Sequence, residues 1–422
     1  MVFVLGMLLF ASGCTTSQST TETGSGAGSG GGAVSGPLPG YQHVQTDQFS
    51  PLIITTIAPD PIPVKGSDNR FHVAYELSVF NDSPRPATIT KLETLAGNEN
   101  GAVISSLSHD EVVALSLVTA DYPASPAAVT EIPAGRTLIV ALDDVYATAR
   151  AVPASVTHRI TATFGPVVSG QAGIANQYPD QVVQIGGPVT TSKLRPVVIG
   201  PPVTGDGWLA SNGLAQPSLN AHTNVLLPVG GRINGAERFG VDWARVDPSA
   251  KPLGTFKGDP SKNESYLAFD QPLLAVADGT VTSVVSDKPD IPPGALAEGI
   301  SLDQLIGNNV ILDLGNGVFA VYAHMKQGSA TVKAGDRVKK GQVIGRLGNS
   351  GNTEQPHLHF QLMRGPLTLL YDNVPWEVDH FILFGFVLGE GEGGVVSVPT
   401  AEARTNELPL GNSVSNFATS GH

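Results

Sequence analysis

The chain has 422 residues, 41% of them hydrophobic and only 14% charged, with 49 glycines, 32 prolines and a net charge of −13. That favours short strands and turns over a helix bundle and disfavours nucleic acid as a partner, because phosphate contacts need clustered Lys and Arg. A single cysteine, Cys14, excludes any disulfide within the chain. There is enough apolar material for two or three folded domains.

Residues 1–13 are apolar and end in small residues. The run is too short to span a bilayer as a helix and reads as the hydrophobic region of an export signal. Ala11-Ser12-Gly13-Cys14 resembles a bacterial lipobox, although Ala11 stands where Leu is usual and no basic residue precedes the run. The expectation is therefore an exported envelope protein, with a membrane anchor through lipid on Cys14; residues 1–14 form the signal segment. Residues 15–44 are rich in Ser, Thr and Gly and cannot bury enough surface to offset their ordering entropy, so they read as a tether.

Residues 45–196 read as a β-sandwich-like domain. Phe71, Val73, Tyr75, Leu77 and Val79 alternate with His72, Ala74, Glu76 and Ser78, the pattern of a strand with one buried face. The run ends at Asn81-Asp82-Ser83-Pro84, a turn cluster. Further strands are expected over 51–57, 87–95, 138–142 and 157–164. His72, His109 and His158 are isolated and read as strand-surface or loop residues. A Pro/Gly-rich stretch, 185–205, leads into a second antiparallel β domain, 200–388. A loosely ordered tail is expected over 389–422. The fold class is thus mainly β, with no helix of three turns expected anywhere.

The second domain carries the chemistry. Gly348-Asn349-Ser350-Gly351 and the residues that follow are loop material; then His357-Leu358-His359-Phe360-Gln361 reads as a strand. Alternation places His357, His359 and Gln361 on one face and Leu358 and Phe360 on the other. Upstream, Asn316-Gly317 marks a hairpin turn, and the strand after it ends at His324. Ala275–Val281, with Asp278-Gly279, and Phe239-Gly240-Val241-Asp242-Trp243 come earlier still. Two histidines on one strand face suit either a metal site or a pair of hydrogen-bonded surface residues. Trp208, Trp243 and Trp376 suit either sugar stacking or, more commonly, core packing.

In this order, over roughly residues 230–365, these motifs resemble the lysostaphin/LytM family of zinc endopeptidases. The resemblance implies a compact antiparallel β fold with a groove over one zinc ion, and hydrolysis of peptidoglycan peptides. It implies Asp242 and His359 as zinc ligands and His324 and His357 as the pair that handles protons and charge. The family's first ligand is a histidine four residues before the aspartate, a place held here by Arg238, which offers no lone pair. His222 is the first candidate to replace it and Glu237 the second. The alternatives are a weak two-ligand site, or a degenerate module that binds cell wall or activates a partner hydrolase.

Overall fold

The computed structural model describes residues 50–418 apart from 59, 119–130, 168–176, 216–217, 252, 296–299, 302–303 and 388–394. The signal segment, the tether and Cys14 lie outside the described residues. The described residues form one compact unit.

The N-terminal half holds two antiparallel sheets. The first runs in the order Leu52–Thr56, Phe71–Asn81, Thr137–Tyr146, Ser116–Val118, with Val64–Lys65 also paired to Phe71–Asn81. The second runs Val103–Ser108, Ala87–Ala96, Ser155–Phe164, Gln181–Thr190. Val73, Tyr75, Leu77, Val79 and Val140 of one sheet share a core with Ile89, Leu92, Ile160 and Ala162 of the other. A shared core between two inner faces is what defines a sandwich. One short helix, His109–Ala114, connects the layers, opened by a capping box between Ser108 and Glu111.

The one-faced reading of Phe71–Asn81 is corrected. Ala74 on its other face joins a second core with Val64, Trp208 and Leu408, and Glu76 is 5% exposed. Alternation is legible when one face meets water; here the far face meets the C-terminal half instead. The histidine reading is corrected too. His72 and His158 are buried, at 1% and 0% exposure, not at the strand surface.

The C-terminal half is built on a ten-stranded antiparallel sheet. Its middle is the run Phe319–Met325, Leu358–Met363, Val241–Arg245, Gly205–Ser211. Leu358, Phe360 and Leu362 point into the larger core, with Tyr322, Trp243 and Trp376 around them. All three tryptophans are 0% exposed, so they pack the core and are not available to sugars.

The loosely ordered tail is corrected for 395–418. Ser413–Phe417 inserts between Gly205–Ser211 and Phe381–Val387, and Val395–Arg404 pairs outside the latter. Val414 and Phe417 are buried. Their polar neighbours, Ser413, Ser415 and Asn416, hid a strand that is flanked on both sides and whose apolar content is low.

Candidate metal centre

Strand register brings the C-terminal candidates together. Asp242 sits directly across from His359, and His359 directly across from Ala323, the residue before His324. His357 precedes the same strand by one residue, so alternation puts its ring on the face of His359. His222 arrives from elsewhere, on a turn held by Asn220: Asn220 Oδ1 accepts from the His222 and Thr223 amides at 2.9 and 3.0 Å.

Three donor atoms converge. His222 Nε2 lies 3.1 Å from Asp242 Oδ1, His359 Nδ1 lies 3.0 Å from the same oxygen, and the two ring nitrogens are 3.1 Å apart. His222, Asp242 and His359 are 5%, 9% and 4% exposed. Metal–nitrogen and metal–oxygen bonds near 2.0–2.1 Å in a tetrahedral site imply ligand atoms roughly 3.3 Å apart. The triangle is close to that size. Unprotonated, the three atoms present their lone pairs to one buried point, as a small tetrahedral cation requires.

The rest of the site is arranged around this triangle. His359 Nε2 meets Gln361 Oε1 at 3.1 Å, which fixes the proton on Nε2 and leaves Nδ1 facing the triangle. Asn212 Nδ2 donates to the other Asp242 oxygen at 2.8 Å. His324 Nδ1 donates to the Ser350 carbonyl at 2.8 Å, so its Nε2 carries the lone pair. His324 has φ of +57°, a left-handed conformation that a non-glycine residue adopts at a cost. His357 Nδ1 donates to the Gln355 carbonyl at 2.8 Å, and its Nε2 is 3.5 Å from Asp242 Oδ1. The His324 and His357 rings are 4.8 Å apart.

Electrostatics separates the two. Burial, with the neighbouring charges of His357 and His359, lowers the pKa of His324 to about 3. Burial also works against charge on His357, but the Asp242 carboxylate outweighs it and raises that group. Burial likewise opposes charge on His222, and Asp242 overrides it, bringing His222 to about 9. A cavity of about 600 Å³ opens over these side chains, lined also by the apolar Val225, Leu305 and Leu369 and the acidic Glu237 and Glu354.

Residues 266–369 match the family model described as peptidase family M23. They are an M23 peptidase domain. The matched M23 segment contains His324, His357 and His359; Asp242 and His222 lie before it. Peptidoglycan DD-endopeptidase ShyC of Vibrio cholerae serotype O1 is 38% identical over 133 residues, 30% of this chain and 26% of that protein. Glycyl-glycine endopeptidase ALE-1 of Staphylococcus capitis is 32% identical over 112 residues, 26% of each. The chain thus spans about a quarter of these relatives. Among solved structures, a mutant catalytic domain of the prophage-encoded M23 protein EnpA from Enterococcus faecalis is 22% identical, covering 40% of this chain and 88% of that one, with a TM-score of 0.24.

Arg238 is not at the triangle. Its guanidinium turns the other way and forms a buried two-pronged pair with Glu76, Nε and Nη2 each donating over 2.6 Å. Glu237 lines the cavity, with Oε1 3.6 Å from His359 Nε2, and is not among the three converging donors. The sequence placed Gln361 on the correct strand face but assigned it no role. Asn212 and Glu76 carried no signal, because their partners are 30 and 162 residues away.

Proposed function

We propose that residues 200–388 form a zinc-dependent endopeptidase that cleaves peptide bonds in peptidoglycan, in a protein exported to the cell envelope and held there through Cys14. One observation carries the reading: His222 Nε2, Asp242 Oδ1 and His359 Nδ1 converge at ligand spacing beside His324 and His357. In this reading His222 supplies the ligand that Arg238 cannot. Zinc bound there would acidify a water molecule and polarise the scissile carbonyl.

The chain's own residues do the rest. His324 Nε2, unprotonated because Nδ1–H is committed to Ser350, accepts the proton of the attacking water. His357, whose protonated form Asp242 favours, donates to the developing oxyanion. Gln361 keeps His359 in the tautomer that presents Nδ1. The cavity walls orient the peptide so that its carbonyl meets the attacking water. Placing 45–196 and 200–388 as separate domains is part of this proposal; in the fold they are joined through Phe71–Asn81.

Metal content by mass spectrometry tests it, on the wild type and His222→Ala in parallel. Near-stoichiometric zinc in the wild type, lost in the variant, is expected, with release of peptides from purified peptidoglycan following the metal. Absence of zinc from the wild type in zinc-replete medium would favour the wall-binding or activator role instead. Hydrolysis that persists in both His359→Ala and His324→Ala would sink the mechanism.

A further inference from the structure

Two segments carry the first half of the triangle: the turn with His222, and residues 235–242, which end at Asp242. Both touch the N-terminal sandwich. The Leu219 amide donates to the Ala114 carbonyl at 2.9 Å, using the free last carbonyl of the short helix. Arg238 pairs with Glu76 of the strand Phe71–Asn81, and both are buried, at 8% and 5% exposure.

The second contact is built tightly. A Cβ on Gly235 would stand 2.5 Å from Arg238 Nη2 and 3.1 Å from Glu76 Oε1, so the loop closes over the pair only because residue 235 is glycine. From Arg238 the chain turns sharply, the Gly240 amide donating to the Glu237 carbonyl at 2.8 Å. That turn is the floor beneath His222: a Cβ on Gly240 would lie 3.0 Å from His222 Nδ1. Asn373 Oδ1 accepts from the Phe239 amide at 2.7 Å, and Trp376 Nε1 donates to the Phe239 carbonyl at 2.9 Å, fixing the turn from its other side.

We propose that Glu76 is a positioning residue for the metal centre, acting through Arg238 across the join between the two halves of the chain. The inference rests on the peptidase reading above and extends it. The residue that occupies the former ligand position grips a carboxylate of the neighbouring sandwich, and that grip sets the turn on which the substitute ligand rests. A buried ion pair is a weak source of stability, since apolar residues of similar size replace it with little loss. Its directional hydrogen bonds have a different use here: they set where His222 and Asp242 stand.

The test uses the full-length protein, with zinc affinity measured by competition against a chromophoric chelator and thermal unfolding followed on the metal-free form. The variants are Glu76→Gln and the double variant Glu76→Leu with Arg238→Met. Glu76→Gln is expected to unfold at a lower temperature and to bind zinc about tenfold more weakly, as loss of a supporting contact behind a ligand does. The double variant removes the stranded charge. It is expected to regain the wild-type unfolding temperature while its zinc affinity stays about tenfold reduced. Wild-type zinc affinity in the double variant would overturn the proposal and leave the pair a purely structural contact. Should Glu76→Gln fail to fold, the double variant decides alone. Loss of zinc in His222→Ala with none in the double variant would overturn Glu76 only; no zinc in the wild type would overturn the peptidase reading as well.

Discussion

The protein buries histidine beside aspartate in both of its halves, and the two clusters are built to opposite ends. In the sandwich, the Tyr75 hydroxyl lies 2.5 Å from Asp144 Oδ2 and 2.8 Å from His158 Nε2. His158 Nδ1 donates to the Gly187 carbonyl at 2.8 Å, and Ser105 Oγ donates to Asp144 Oδ1 at 3.0 Å. Burial raises Asp144 to about 6 and lowers His158 to about 4, so any extra proton resides on the carboxyl. Each polar atom named there has a hydrogen-bond partner within the cluster or on the backbone. At the candidate metal centre, three atoms able to ligate an ion face each other under a cavity. Complete pairing marks a structural network; convergent lone pairs beside a cavity mark a place for an ion.

Isosteric changes to the two aspartates break the comparison most directly. Asp242→Asn is expected to abolish zinc retention and lower peptidase activity by about 1,000-fold or more, since the metal contributes several kcal/mol to the reaction. Asp144→Asn should leave zinc untouched and cost about 1–3 kcal/mol of stability, because one amide hydrogen would meet a hydroxyl donor. Zinc assays and denaturant titrations on the pair read both effects. Equal zinc loss in the two variants would mean that the clusters are not functionally distinct.

His72 sharpens the structural side. Burial by itself would lower its pKa, but Asp143 at 2.7 Å and Asp68 at 3.2 Å raise it to about 9. A cation held more tightly in the folded state contributes stability that is fully present below its unfolded pKa of about 6.5 and is lost as pH rises through 9. A contribution on the order of 3 kcal/mol follows from the shift. Denaturant midpoints should therefore fall between pH 6.5 and 9, and His72→Gln should flatten that fall. An unchanged slope would remove His72 from the account.

The smallest effect belongs to Gln361→Leu. Removing the acceptor of His359 Nε2–H frees the wrong tautomer and is expected to weaken zinc by about 10- to 100-fold. The unfolding temperature of the metal-free protein should fall modestly, because His359 Nε2–H loses its acceptor while Gln361 Nε2 has no partner to lose. Chelator competition checks it, and wild-type affinity would show that the tautomer is set by something else.

Much of the centre was legible because it obeys short-range rules. His357-Leu358-His359-Phe360 alternates, and Asn316-Gly317 fixes the hairpin that delivers His324. The remainder depends on distances the chain does not encode locally. His222 lies on an aperiodic turn and meets His359 across 137 positions. Glu76 looked like the wet side of a strand until a second body was found against it. The sandwich was readable as a set of strands, whereas its docking face was not, because a face buried against protein can keep the polar residues that mark a solvated one.

The strand Ser413–Phe417 sets the timing of assembly. It is the only paired link among the described strands between Gly205–Ser211 and Phe381–Val387, and it lies about two hundred positions from the first of them. A chain that emerges amino terminus first therefore carries an open edge on Gly205–Ser211, the strand that pairs with Val241–Arg245, where Asp242 sits. Such an unpaired edge invites pairing with another chain. The seam closes only once Ser413–Phe417 has been made, so protection of the edge until then matters more for this protein than for one whose sheet is zipped in order.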